Sequence, residues 1–218
     1  MAVQSTSNAN YLSRTTGFAN ADPTTIALWC RFDALAAQFY TVWDHGNSVN
    51  FTPQLAASGT DLGLSTGDFG GNIISLGTIV ASTYYWVAAV FNGTANPAIG
   101  YIGSGGNLTK VVDTHNFEGW TGTVMTLFNE LDHDQTQNGE QTGLKIWSGT
   151  GGALNDDEIA NEYKRFYPSK TSSLYCWIPQ LNGAQAGLDI SGHDRNFTAT
   201  GAPATSRLMP GSTTWAGR

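Results

Sequence analysis

The chain has 218 residues, a formal net charge of −7 and a pI near 4.8, with only 10 Lys and Arg together. An acidic chain without a basic cluster repels phosphate backbones, which excludes nucleic acid as the expected partner, and no run approaches the roughly 20 apolar residues of a membrane span. Its 26 Gly, seven Trp, eight Tyr and ten Phe make a strand-and-turn composition, of a length that suits one large β domain.

Taken in chain order, Met1–Ala9 reads as a short polar leader that lacks the basic and apolar regions of a secretory signal. The protein is therefore expected to be made soluble, and to reach the outside by another route such as lysis within a particle. Apolar runs of strand length then alternate with Gly, Asn, Ser, Thr and Asp punctuation. The expected strands are Asn10–Ser13, Thr25–Phe32, Ala37–Asp44, Asn50–Ala56, Leu62–Ser65, Ile73–Leu76, Tyr84–Asn92, Pro97–Ile102, Lys110–Val112, Gly122–Phe128, Gly143–Ser148, Leu174–Gln180 and Asn196–Thr200. Their spacing leaves no room for βαβ helices, so the expectation is an all-β, two-sheet antiparallel sandwich (a jelly roll) in one domain over 1–218.

One short helix is expected near 155–166. Asn155 can cap it, Asp156, Asp157 and Glu158 sit at the positive end of its dipole, and Pro168 ends it. Ile159, Tyr163 and Phe166 give it a single apolar stripe. Residues 206–218, with Pro210, Gly211 and Ser212 close together, read as a loose tail. Cys30 and Cys176, each inside an expected strand and without metal spacing, read as buried thiols, while a bridge between them stays open.

Several ordered pieces carry a resemblance. These are Tyr11-Leu12-Ser13, Thr25-Ile26-Ala27-Leu28-Trp29-Cys30-Arg31-Phe32, Tyr85-Trp86-Val87-Ala88-Ala89-Val90-Phe91-Asn92-Gly93, Leu144-Lys145-Ile146-Trp147, Ala153-Leu154-Asn155-Asp156-Asp157-Glu158-Ile159, Leu174-Tyr175-Cys176-Trp177-Ile178 and Asp189-Ile190-Ser191-Gly192. Together they resemble the laminin-G-like (LamG) jelly rolls of the concanavalin A-like lectin/glucanase superfamily, in the branch found in bacterial, environmental and phage proteins. The resemblance implies fold rather than activity, because the superfamily includes lectins, adhesion modules, glycosidases and lyases.

Chemistry is most concentrated in Asn129-Glu130-Leu131-Asp132-His133-Asp134-Gln135. One reading is a solvated hairpin loop. A second is calcium, since hard cations take clustered carboxylate and amide oxygens. The loop is similar in place to the acidic calcium loop of pentraxins, which implies Asp44, Glu130, Asp132 and Asp134 as metal ligands, with Asn47 beside them. A third reading is catalytic: the run resembles the Glu-x-Asp-x-Glu strand of laminarinase-type glycosidases, which implies Glu130 and Asp132 as the paired carboxylates. Asp134 in place of the third Glu and the turn composition of Gln135–Gly139 count against it.

Sugars stack on aromatic faces beside amides and carboxylates, which makes Tyr40, Trp43, Asn47 and Trp120 the candidate ligand-binding residues. Trp29, Trp86, Trp147 and Trp177 lie inside expected strands and read as core. His45, His115, His133 and His193, in polar surroundings, read as surface histidines. The expected function is a non-catalytic carbohydrate-binding or adhesion module, calcium-dependent if the acidic loop is a metal site, with a glycan, a polysaccharide or a partner protein surface as its partner. A phage or viral surface protein, on the virion or outside the cell, would suit this composition. The rivals are a glycoside hydrolase or polysaccharide lyase on the same scaffold, and a purely structural subunit that forms oligomers through sandwich edges.

Overall fold

The structure, a computed structural model, describes residues 2–5, 11–19, 21–35, 39–46, 54–65, 73–120, 122–128, 139–179, 186–201 and 204–206. Fifteen strands and one helix occupy them: β1 (Ala2–Ser5), β2 (Tyr11–Thr15), β3 (Thr24–Phe32), β4 (Phe39–Gly46), β5 (Gln54–Ser58), β6 (Asp61–Ser65), β7 (Ile73–Thr78), β8 (Tyr84–Phe91), β9 (Pro97–Ser104), β10 (Asn107–Asn116), β11 (Val124–Leu127), β12 (Gly139–Ser148), α1 (Asp156–Tyr163), β13 (Leu174–Ile178), β14 (Thr198–Thr200) and β15 (Ala204–Ser206). The first sheet runs β10-β9-β8-β3-β12-β1-β15, with β13 also paired to β12, and the second runs β14-β2-β11-β4-β5-β6-β7. Every pairing is antiparallel, so the expected two-sheet sandwich is what forms.

The leader is the main departure. Its residues Ala2–Ser5 form a strand held between β12 and β15, because Val3, Gln4 and Ser5 lie in register with the first residues of β12 and supply the backbone partners that an open edge lacks.

The two faces of the first sheet explain why β3, β8 and β12 read as near-continuous apolar runs. Ile26, Leu28, Cys30 and Phe32 face the second sheet, whereas Ala27, Trp86, Ala88, Val90 and Trp147 face the helix residues Ile159 and Tyr163. Burial on both faces removes the polar half of the alternation. Trp86 and Trp147 are wholly buried there. Trp29 and Trp177 are half-buried instead, the first beside Tyr163 and the second against Phe166 and Tyr167 at ring separations of 6.2 and 5.0 Å. Cys30 and Cys176 are both buried and unbridged, and burial pushes both thiols up, away from reactivity.

The helix starts where its cap dictates. The Asn155 side chain accepts from the Glu158 amide at 3.0 Å, and the Glu158 carboxylate accepts from the Asn155 amide at 3.0 Å, a complete capping box. It ends at Tyr163, earlier than Phe166, because Lys164 caps it and the Arg165 amide turns back to the Glu162 carbonyl. Asp156 fastens its start to the sheet through Tyr101 at 2.6 Å and Lys110 at 2.8 Å. Gly103 leaves the space for Tyr163, since a Cβ there would stand 2.6 Å from the ring. No helix of the described residues is long and apolar enough to cross a membrane.

Candidate functional site

Strand register in the second sheet builds a row that is polar on six of its seven strands. Thr198, Ser13, Thr126, Asp44, Gln54, Ser65 and Ile73 are successive partners on β14, β2, β11, β4, β5, β6 and β7. The adjacent register row, Leu127–Trp43–Leu55–Leu64, belongs to the sandwich core. Since successive residues of a strand point to opposite faces, the polar row occupies the outer face. A neighbouring row on that face, Thr41–Ala56–Gly63–Ser75, is made of small residues with a hydroxyl at each end.

Oxygen donors dominate this face: the Asp44 carboxylate, the Gln54 amide and the hydroxyls of Thr126, Ser65 and Thr41. Gln54 Nε2 donates to Thr41 Oγ1 at 2.6 Å, which turns its amide oxygen away from that contact. The centre of the row is buried, with Asp44 and Gln54 each 5% exposed and Thr126 0%. A carboxylate in such a place needs compensating partners. Hard oxygen donors without thiol or imidazole suit a calcium-like cation or the hydroxyls of a polyol.

Of the sequence candidates among the described residues, only Asp44 belongs to this face. Glu130, Asp132, Asp134, His133 and Asn47 lie outside the described residues, so neither the calcium loop nor the carboxylate pair is located. Among the described residues no group of three or more His, Cys, Asp or Glu side chains is placed to hold a metal.

The three aromatic candidates are corrected to core residues. Tyr40 is 4% exposed, Trp43 1% and Trp120 5%. Trp43 meets Phe91 edge-on, Tyr40 meets Phe32, and Trp120 lies among Phe18, Phe91 and Phe117 at ring separations of 4.8–5.3 Å. Trp120 also donates its Nε1 to the Asp22 carbonyl at 3.2 Å. Gly-flanked Trp120 thus closes an end of the sandwich, and none of the three rings offers a face to a sugar.

His45 is a second correction, being 0% exposed rather than superficial. It alternates with Asp44, so it points inward, where it stacks on Phe18 at 5.1 Å and meets Trp120 edge-on at 4.7 Å. Its Nε2 shares a hydrogen bond with Thr16 Oγ1 at 2.6 Å, while Nδ1 is buried with no hydrogen-bond partner. Burial without a compensating charge pushes its pKa down to about 4 from 6.5. Because the folded value lies below the unfolded one, the unfolded chain takes up the proton first as pH falls. Stability is therefore fully present above about pH 6.5 and is lost down to about pH 4, by on the order of 3 kcal/mol from this residue. Urea unfolding across that window should show the loss in wild type and a smaller loss in His45→Phe. Equal slopes would contradict it. His115 and His193 are exposed, as expected.

Sequence reasoning missed the polar row, although its signal was legible. Gln54-Leu55-Ala56-Ala57-Ser58 and Asp61-Leu62-Gly63-Leu64-Ser65 alternate, and only their pairing shows that the polar positions align. It also missed Glu162 and Lys145, buried beneath α1 and joined at 2.8 Å. The Asp189 loop is structural: its carboxylate accepts from the amides of Trp177, Ser191 and Arg195, each at 2.9 Å, and from Ser191 Oγ. Those bonds hold its pKa below the usual range against the opposing effect of burial.

No protein-family model and no curated protein matches the chain. Solved structures do resemble it. A protein from Bacteroides ovatus ATCC 8483 to which carbohydrate binding is ascribed superposes with a TM-score of 0.65 at 12% identity, over 94% of this chain and 61% of its own. This chain thus spans about three-fifths of that protein. The heptameric SAP-like pentraxin of Limulus polyphemus gives 0.55 at 14% identity, over 93% and 94%. The CBM40 of the Ruminococcus gnavus IT-sialidase, bound to α2,6-sialyllactose, gives 0.50 at 12% identity, over 73% and 95%. At these identities the likeness is one of fold, an antiparallel two-sheet β-sandwich.

Proposed function

We propose that the chain is a non-catalytic carbohydrate-binding module whose binding region is centred on Asp44 on the outer face of the second sheet. The supporting observation is the row of oxygen-bearing side chains from Ser13 to Ser65, whose central members Thr126, Asp44, Gln54 and Ser65 are buried together on one face of the sheet. The resemblance of the fold to the Bacteroides ovatus protein and to the Ruminococcus gnavus module agrees with this reading.

Asp44 is too buried to meet a sugar ring itself. Its role in this proposal is to hold calcium together with Glu130, Asp132 and Asp134, and with Asn47 beside them. Bound there, calcium would offer coordination to sugar hydroxyls, with Thr126 and Gln54 the direct neighbours of Asp44 on β11 and β5. The LamG assignment, and a place on a phage or virus surface, belong to the same proposal. Chemistry by Glu130 and Asp132 is the alternative.

A glycan array run in millimolar calcium and again in chelator tests the reading. Retention of one glycan class in calcium, its loss in chelator, and no release of product on incubation is the expected pattern. Retention without any response to chelator would remove calcium from the account, and product formation abolished by Glu130→Gln would replace binding with hydrolysis.

A further inference from the structure

A second polar recess lies on the opposite side of the molecule. α1 covers the outer face of the first sheet, and between it and the segment 169–172 opens a cleft of about 560 Å³, lined by Glu158, Asn161, Arg165, Ser169, Lys170 and Thr171, with Ser172 at its end. That volume falls within the range of small-ligand sites. Glu158, Asn161 and Arg165 follow the i, i+3, i+7 spacing that places them along one side of the helix and its capping turn.

The charge of the cleft departs from that of the chain. Only 10 Lys and Arg are spread over 218 residues, yet two of the seven residues that line the cleft, Arg165 and Lys170, are basic. Lys170 is joined to Glu158 at 2.8 Å. Arg165 is exposed, and its guanidinium makes no hydrogen bond or ion pair with the described residues. Basic residues after a helix do complement its dipole, but the dipole requires neither a recess nor a facing wall of hydroxyls.

That wall is held rigid from behind. Glu162 Oε1 accepts from the Ser169 amide at 2.7 Å, from Ser169 Oγ at 2.6 Å and from the Lys170 amide at 2.9 Å, and the Lys170 carbonyl accepts Trp147 Nε1 at 2.8 Å. Ser169 and Lys170 are thus fixed before any ligand arrives, which lowers their share of the ordering cost of binding.

We infer that this cleft binds a carboxylate-bearing sugar, with Arg165 on the carboxylate and Asn161, Ser169, Thr171 and Glu158 on the ring hydroxyls. A planar guanidinium with all its donors unused matches a carboxylate in a bidentate pair, while amide, hydroxyl and carboxylate groups together donate to and accept from a polyol. The inference deepens the carbohydrate-binding reading and rests on it, but it concerns a site separate from Asp44.

The test is a titration of tri-galacturonate, and of its methyl ester, followed by amide NMR. Tri-galacturonate is expected to shift amides of residues 158–172. Arg165→Ala should weaken it about tenfold or more, and the ester should bind correspondingly less well. Arg165 makes no contact that folding needs, so the variant should melt as wild type does. Binding that survives Arg165→Ala, or shifts mapping to Ser13, Thr126 and Ser65, would overturn this inference and leave the module a carbohydrate binder. Absence of binding at millimolar tri-galacturonate would also overturn it, and the glycan array then decides the broader reading separately.

Discussion

Lys145→Met is expected to lower the free energy of unfolding by about 3–5 kcal/mol, the usual cost of breaking a buried ion pair on one side. The ammonium is 2% exposed and the Glu162 side chain 0%. Lys145 Nζ also donates to the backbone carbonyls of Arg165 at 2.7 Å, Tyr167 at 3.3 Å and Glu162 at 3.4 Å. Four acceptors surround the amine, and burial, more than Glu162 offsets, holds it below the ordinary lysine range. Met would fill the volume but leave the carboxylate uncompensated and the carbonyls unpartnered. Because the same carboxylate anchors Ser169 and Lys170, the loss should extend to the wall of the cleft. A loss below about 1 kcal/mol in urea would show that water reaches the pair.

Trp43→Ala and Trp120→Ala should each cost about 3–5 kcal/mol of stability, the range for emptying a large aromatic site in a packed core. Had these rings been stacking platforms, their loss would abolish sugar binding with little effect on stability. Unfolding curves separate the two cases, and near-wild-type stability of either variant would return that ring to the list of ligand contacts. Trp29 and Trp177, half-buried at the margin of α1, should cost less.

The succession of strands along the chain, the helix position and the burial of the two thiols were legible because each depends on local signals: turn residues every few positions, an Asn cap with three acidic residues behind it, and Cys inside apolar runs; whether the thiols pair depends on how distant strands meet. The candidate site was legible only in part. Asp44 was picked out by the resemblance to the pentraxin calcium site, and the structure sets it on the outer face. His45, Trp43 and Tyr40 misled because the sequence shows a polar neighbourhood but not which way alternate side chains point. Lys145 in an apolar strand gave no hint of Glu162, 17 residues on, since their meeting depends on how α1 lies across β12. Ala2–Ser5 resembled a leader because its partners, β12 and β15, are far away in sequence.

The central claim is that a glycan binds through Asp44 on the outer face of the second sheet. Its most direct measurement is calorimetric titration of the array-selected glycan into wild type and Asp44→Asn, in calcium, with melting curves for both. The account predicts that Asn, which keeps the shape of Asp44 but not its charge, weakens binding by about tenfold or more while the fold persists. Equal affinity in the two proteins, with both folded, would contradict it.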